Sequence, residues 1–226
     1  MRKKMAFPLM AIAAVLAGAM SWAYGVDAPP LPPRATLKFD AKDQAELPRG
    51  YRSWVHVFTG WEPITTTILD GTVTKTPEFK NLYVEPFAYR TYMETGKWPE
   101  GTLMVKEFSA TSVDKKNCEG PPAFICQVWY GKAIFQTNAI GIGVMLKDTK
   151  RFPGEAGGWA YFSFGHQPPP YQKVSALRPR SQCAQCHIER AGAKQDFVFS
   201  INQPALSREG NDKINNLKAA FAETAR

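Results

Sequence analysis

The sequence predicts a mainly β (α+β) domain, a sheet accompanied by a few helices, and three observations carry that expectation. Runs rich in aromatic and β-branched residues outnumber segments with helical spacing. Glycine and proline bound those runs, as with Gly50 and Gly60, and the triplet Pro168-Pro169-Pro170 closes the strand-rich region. The 226 residues, 44% hydrophobic and 21% charged, suit one soluble globular domain with an extension.

The N-terminus has Arg2, Lys3 and Lys4, an apolar stretch from Met5 to Met20, and Ala23-Tyr24-Gly25 as a small-x-small cleavage site. Residues 1–25 therefore read as a secretory signal peptide. The alternative, an uncleaved anchor, is opposed by Pro8 and by a stretch too short to span a bilayer comfortably. Cleavage removes three basic residues and lowers the formal charge from +8 to +5. That mild balance suits docking with an acidic electron-transfer partner or simply a solvated surface, and no basic run suggests nucleic acid. Export implies an oxidising, periplasmic setting.

Residues 26–38 are proline-rich and read as a tether to a domain over 39–226. Asp40 is placed to cap a short helix ending near Leu47, and Tyr51 to Phe58 has strand composition. Pro86 to Met93 reads as a helix, with proline in its first turn and Gly96 past its end. Strands are expected at Thr102 to Thr111, Phe124 to Tyr130, Ala133 to Leu146 and Trp159 to Phe164. A helical segment resumes near Ser181, and Asn211 can cap a last helix with Ile214, Leu217 and Phe221 along one packing face.

Cys183-Ala184-Gln185-Cys186-His187 is the attachment pattern for one c-type haem. In a short helical turn, two sulfurs at this spacing can add to the two vinyl groups of one porphyrin, and the adjacent histidine presents its imidazole to the iron. Two other readings compete: a thioredoxin-like redox pair, which needs a βαβ setting, and half a zinc site, which needs a second pair of ligands. Cys118 and Cys126 flank the turn-forming Glu119-Gly120-Pro121-Pro122, and a disulfide across that loop is expected, with a pair of free thiols as the alternative that export disfavours. A sixth protein ligand favours electron transfer, whereas an open iron binds a gas or small substrate. His56, among Trp54, Val55, Val57 and Phe58, reads as a core histidine, and His166 as a surface-turn residue. Met104 and Met145 read as core filling.

Several runs together resemble the cytochrome P460 family. They are Leu47 to Val57 (LPRGYRSWVHV), Asn81 to Pro86 (NLYVEP), Gly101 to Glu107 (GTLMVKE), Lys147 to Phe152 (KDTKRF), the Cys183 to His187 motif and Asp196 to Phe199 (DFVF). The resemblance extends in order from about Leu47 to Leu206. It implies a mainly antiparallel β fold, commonly dimeric, with the haem held against the sheet by the C-terminal Cys-x-x-Cys-His segment and His187 as proximal ligand. It also implies covalent attachment of a lysine, here Lys106, to the porphyrin. Strand periodicity adds that Met104, Lys106 and Phe108 share one face, where a lone ammonium is costly, unless that face is solvent-exposed. Members that oxidise hydroxylamine are similar but carry a distal carboxylate where this chain has Gly143. Lys80 stands where some members have arginine, keeping the charge without the forked donor geometry.

Two functions follow from the resemblance. One is an oxidoreductase that oxidises hydroxylamine or another small nitrogen compound at an open iron and passes electrons to a soluble protein. The other is a non-catalytic haem protein, like the β-type cytochromes c′, that binds nitric oxide or carries electrons. Lys106 favours the first and Gly143 the second.

Overall fold

The computed structural model describes residues 33–62, 65–66, 73–74, 77–112 and 135–207. Its centre is a five-stranded antiparallel sheet of β2 (Val55–Glu62), β5 (Glu78–Val84), β6 (Leu103–Ser112), β7 (Phe135–Lys147) and β8 (Trp159–Ser163), in that spatial order. Short pairs flank it: β1 (Ala45–Glu46) with β9 (Val174–Ser175), and β3 (Thr65–Thr66) with β4 (Val73–Thr74). The mainly β, antiparallel expectation holds.

Alternation along β6 divides the interior in two, because successive side chains on a strand leave opposite faces. Leu103 and Val105 join Val144, Leu146, Phe152 and Phe162 in one core, against which Ala35, Leu37 and Phe39 also pack. The packed body thus takes in residues at the end of the proline-rich stretch. Met104 joins Val84, Met145, Trp159, Tyr161 and Val198 in the second core, on the other face. Leu103 is fully buried, so its truncation to alanine costs about 2–5 kcal/mol. The acidic Glu107 on the first face is also buried, and it is paired: Tyr51 donates to it from its hydroxyl and Arg52 from Nε at 2.8 Å.

Helix α1 (Pro86–Thr95) lies where the sequence places one. Glu85 caps it by accepting from the Ala88 amide at 2.8 Å, and Gly96 ends it in the left-handed conformation at φ 73°. Ala88 is its fully buried contact with the second core, and the Tyr89 hydroxyl donates to the Ala205 carbonyl at 3.2 Å.

Three expectations need correction here, and one strand was not anticipated. Asp40 caps no helix: its Oδ1 accepts from the amides of Lys42 and Gln44, both at 2.9 Å, in a turn closed by Asp43 at φ 61° before β1. The short polar side chain stabilises the turn instead. Tyr51 opens a single 3-10 turn, Tyr51–Ser53, and the strand begins at Val55. Strand β5 went unexpected because Glu78, Lys80 and Asn81 break its apolar signal. His56 is exposed rather than in the core, and it shares a hydrogen bond with Thr59 at 2.8 Å beside the ring of Tyr83. Cys118, Cys126, the expected strand Phe124 to Tyr130 and the expected last helix lie outside the described residues.

Candidate haem site

The second face of the sheet carries a row of side chains set by register. Leu82 pairs with Lys106, Lys106 with Gly143, and Gly143 with Ser163. One step along the strands, Lys80 pairs with Phe108 and Phe108 with Gly141. Lys80, Leu82, Lys106, Phe108, Gly143 and Ser163 form one wall of a cavity of about 510 Å³. The opposite wall comes from the segment that follows β9: Cys183, Cys186, His187, Val198 and Phe199. The fold therefore brings Lys106 and the cysteine–histidine motif to one space, although 77 positions separate Lys106 from Cys183.

The motif is built on α2 (Ala184–Cys186), a single turn that continues as a π-helical turn over His187–Ala191. Ala184 anchors it by burial in the second core. Cys183 and Cys186 are free thiols, the second exposed, and burial pushes the Cys183 thiol up. His187 lies between the rings of Tyr161 and Phe199, each with its centroid at 4.9 Å. Its Nδ1 donates to the Phe197 carbonyl at 2.8 Å, which leaves Nε2 as the free lone pair. Burial pushes the imidazole down to about 4, against the Phe197 hydrogen bond, so the ring is neutral at physiological pH.

Lys106 keeps solvent-accessible surface because it projects into the cavity, yet protein crowds around it. That crowding, with the positive charge of Lys80, pushes its ammonium down to about 8. Lys80 in turn pairs with Glu62 and stands 3.8 Å from Glu78. Gly143 leaves space beside Lys106: a Cβ there would meet only the Phe162 carbonyl, at 3.9 Å. Met104 and Met145 are buried and also reach the cavity wall.

His166 is not a surface-turn residue. It lines the cavity with its side chain 19% exposed, and its Nε2 lies 2.8 Å from Glu78, whose side chain is 3% exposed. Sequence reading missed Glu62, Glu78 and His166 as cavity residues. The signal available was the period of two in Glu78, Lys80 and Leu82, which becomes visible once β5 is recognised as a strand.

The donor set suits a haem. Two thiols and a neutral imidazole with a free Nε2 converge on a largely apolar cavity of cofactor size. The thioredoxin alternative lacks its parallel βαβ frame, since every strand pair described is antiparallel. Zinc lacks ligands: among the described residues no three His, Cys, Asp or Glu side chains gather to hold a metal ion. A family model described as Cytochrome P460 matches residues 48–200, which takes in β2, all of the central sheet and the cysteine–histidine motif. The chain belongs to the cytochrome P460 family. Membership makes it a c-type haem protein of the P460 type, with haem c as its cofactor. No curated protein matches the chain. Within the P460 frame, the cavity between β6 and the Cys183 segment is where the residues present would hold the haem.

Proposed function

We propose that the mature protein is a periplasmic mono-haem cytochrome that binds or oxidises a small nitrogen compound, such as hydroxylamine or nitric oxide, at an open iron. The observation that carries this reading is the convergence of Cys183, Cys186, His187 and Lys106 on one cavity. Cys183 and Cys186 would hold the porphyrin through thioether bonds, and His187 would ligate the iron through Nε2. The haem, when bound, supplies a redox-active iron that exchanges electrons with the ligand and with a soluble carrier protein. The Phe197 carbonyl fixes the His187 ring, and Tyr161 and Phe199 pack against it. Lys106, with its amine pushed to about 8, has an accessible neutral form beside the space the porphyrin would fill. The protein acts as a homodimer, as is common in the family.

A second reading, a non-catalytic gas-binding or electron-carrying cytochrome like the β-type cytochromes c′, draws support from Gly143, which places no acid–base group beside Lys106. The two separate in a protease digest of the purified protein, read by mass spectrometry for haem-bearing peptides. Haem joining the Cys183–Cys186 peptide to the Lys106 peptide supports the oxidising reading, and haem on the cysteine peptide alone supports the second. Haem on neither peptide sinks both.

A further inference from the structure

The polar end of the cavity is a set of four side chains with unequal freedom. Lys80 is held by Glu62 and faces Glu78, so it is committed as a donor. Glu78 is buried and accepts from His166 at 2.8 Å. A carboxylate accepts but cannot donate, so it fixes the tautomer of the ring: Nε2 carries the proton, and Nδ1 keeps its lone pair. Nδ1 has no protein partner among the described residues. The ring lies against Phe108, with centroids 4.7 Å apart, and against the backbone of Gly141, where a Cβ would stand 3.0 Å from His166 Cδ2 and 3.1 Å from Phe108 Cδ2. A glycine at this strand position is what lets the histidine sit so far inside the sheet face.

We propose that His166 is the proton acceptor of this cavity and that Glu78 positions it, an inference that rests on the haem occupying the cavity as described above. A weak acid H–X entering the cavity breaks its H–X bond and leaves the electron pair on X. The proton forms a new N–H bond at His166 Nδ1, and the buried Glu78 carboxylate stabilises the resulting imidazolium. The same transfer serves an N–H or O–H of a small nitrogen compound. Other charged groups around the ring are Lys80 from β5, Glu62 from β2 and Lys106 from β6. Lys80 and Glu62 add to the field the ring experiences, as does Lys106 while its amine is protonated and free of the porphyrin.

The test measures ligand association with the ferric, haem-loaded protein by stopped-flow absorbance. Cyanide enters as HCN at neutral pH and must lose a proton, whereas nitric oxide need not. His166→Gln should slow cyanide association by about a hundredfold and flatten its pH profile, with nitric oxide association unchanged. Glu78→Gln should slow cyanide association and Glu78→Asp should restore part of the rate, with nitric oxide association unchanged in both. Should any of these variants fail to load haem, Gly141→Ala, whose Cβ would press on His166, Phe108 and the Gly165 carbonyl, supplies a milder form of the same comparison. Cyanide association that is unchanged in His166→Gln, or slowed in step with nitric oxide, overturns the proposal. A wild-type protein that carries no haem overturns the underlying haem reading instead, which keeps the two failures apart.

Discussion

Lys147, near the end of β7, holds both carboxylate oxygens of Asp196, at 2.7 and 2.9 Å. The same ammonium donates to the Gly157 carbonyl at 3.1 Å, and the Trp159 indole donates to Asp196 at 3.4 Å. Asp196 and Phe197 both have positive φ, 49° and 59°, and that curl presents the Phe197 carbonyl to His187. The pair therefore ties the orientation of the candidate iron ligand to the central sheet, through one residue of backbone.

Replacing Lys147 with Met should remove this tie. Hydrogen bonds to charged groups contribute about 1.5–3 kcal/mol, so calorimetry should record a loss in that range. The haem should remain attached, while the axial-ligand spectrum should broaden or split. A variant with native stability and an unaltered spectrum would show that Asp196 is held by its other neighbours.

Replacing Gly143 with Glu puts a carboxylate into open space beside Lys106. With only the Phe162 carbonyl near the new Cβ, at 3.9 Å, the strand accepts the substitution without a backbone clash. The added base should raise hydroxylamine turnover when Lys106 is bonded to the porphyrin. An unchanged steady-state rate in a folded, haem-loaded variant would place the reacting atoms away from residue 143.

Lys106 should be the most readily acylated lysine of the haem-free protein as pH passes about 8, because its folded pKa lies below the ordinary 10.5. Between those values the unfolded chain binds the extra proton, so this group makes the haem-free fold more stable as pH rises through the window. Peptide mapping after acylation at graded pH gives the midpoint. A midpoint like that of surface lysines would mean that the cavity is better hydrated than its wall suggests.

Tyr51 predicts the opposite trend at higher pH. Burial and its hydrogen bond to Glu107 raise its pKa well above 10.0, so its contribution is full below pH 10 and falls as pH climbs beyond that value. Urea denaturation between about pH 9 and 11 should show this decline, with a shallower slope in Tyr51→Phe. The slope should not vanish, because Tyr83, Tyr161 and Tyr171 are raised by burial as well. Identical slopes in the two proteins would assign the alkaline sensitivity to those other tyrosines.

The strands that carry mostly apolar residues were readable from composition, as were α1 and its two ends. Strand β5 was not, because its residues facing the cavity include Glu78 and Lys80, and a functional polar face imitates a loop in sequence. The cysteine–histidine motif was legible because its chemistry is local, five consecutive residues. His166 was illegible for the converse reason: its partner Glu78 lies 88 positions away, and its seat depends on a glycine in a third segment. Local spacing encodes attachment, whereas the acid–base wall exists only once the strands have paired.

The distance in sequence between Lys106 and Cys183 also bears on how the chain unfolds. A porphyrin bonded to both would tie β6 to the C-terminal segment and close a loop of roughly 77 residues, as a long-range disulfide does. Restricting the unfolded chain over a loop of that length is worth about 4.5 kcal/mol in the chain-entropy account. The prosthetic group would then be a topological staple, and its loss would be felt first as fragility of the fold.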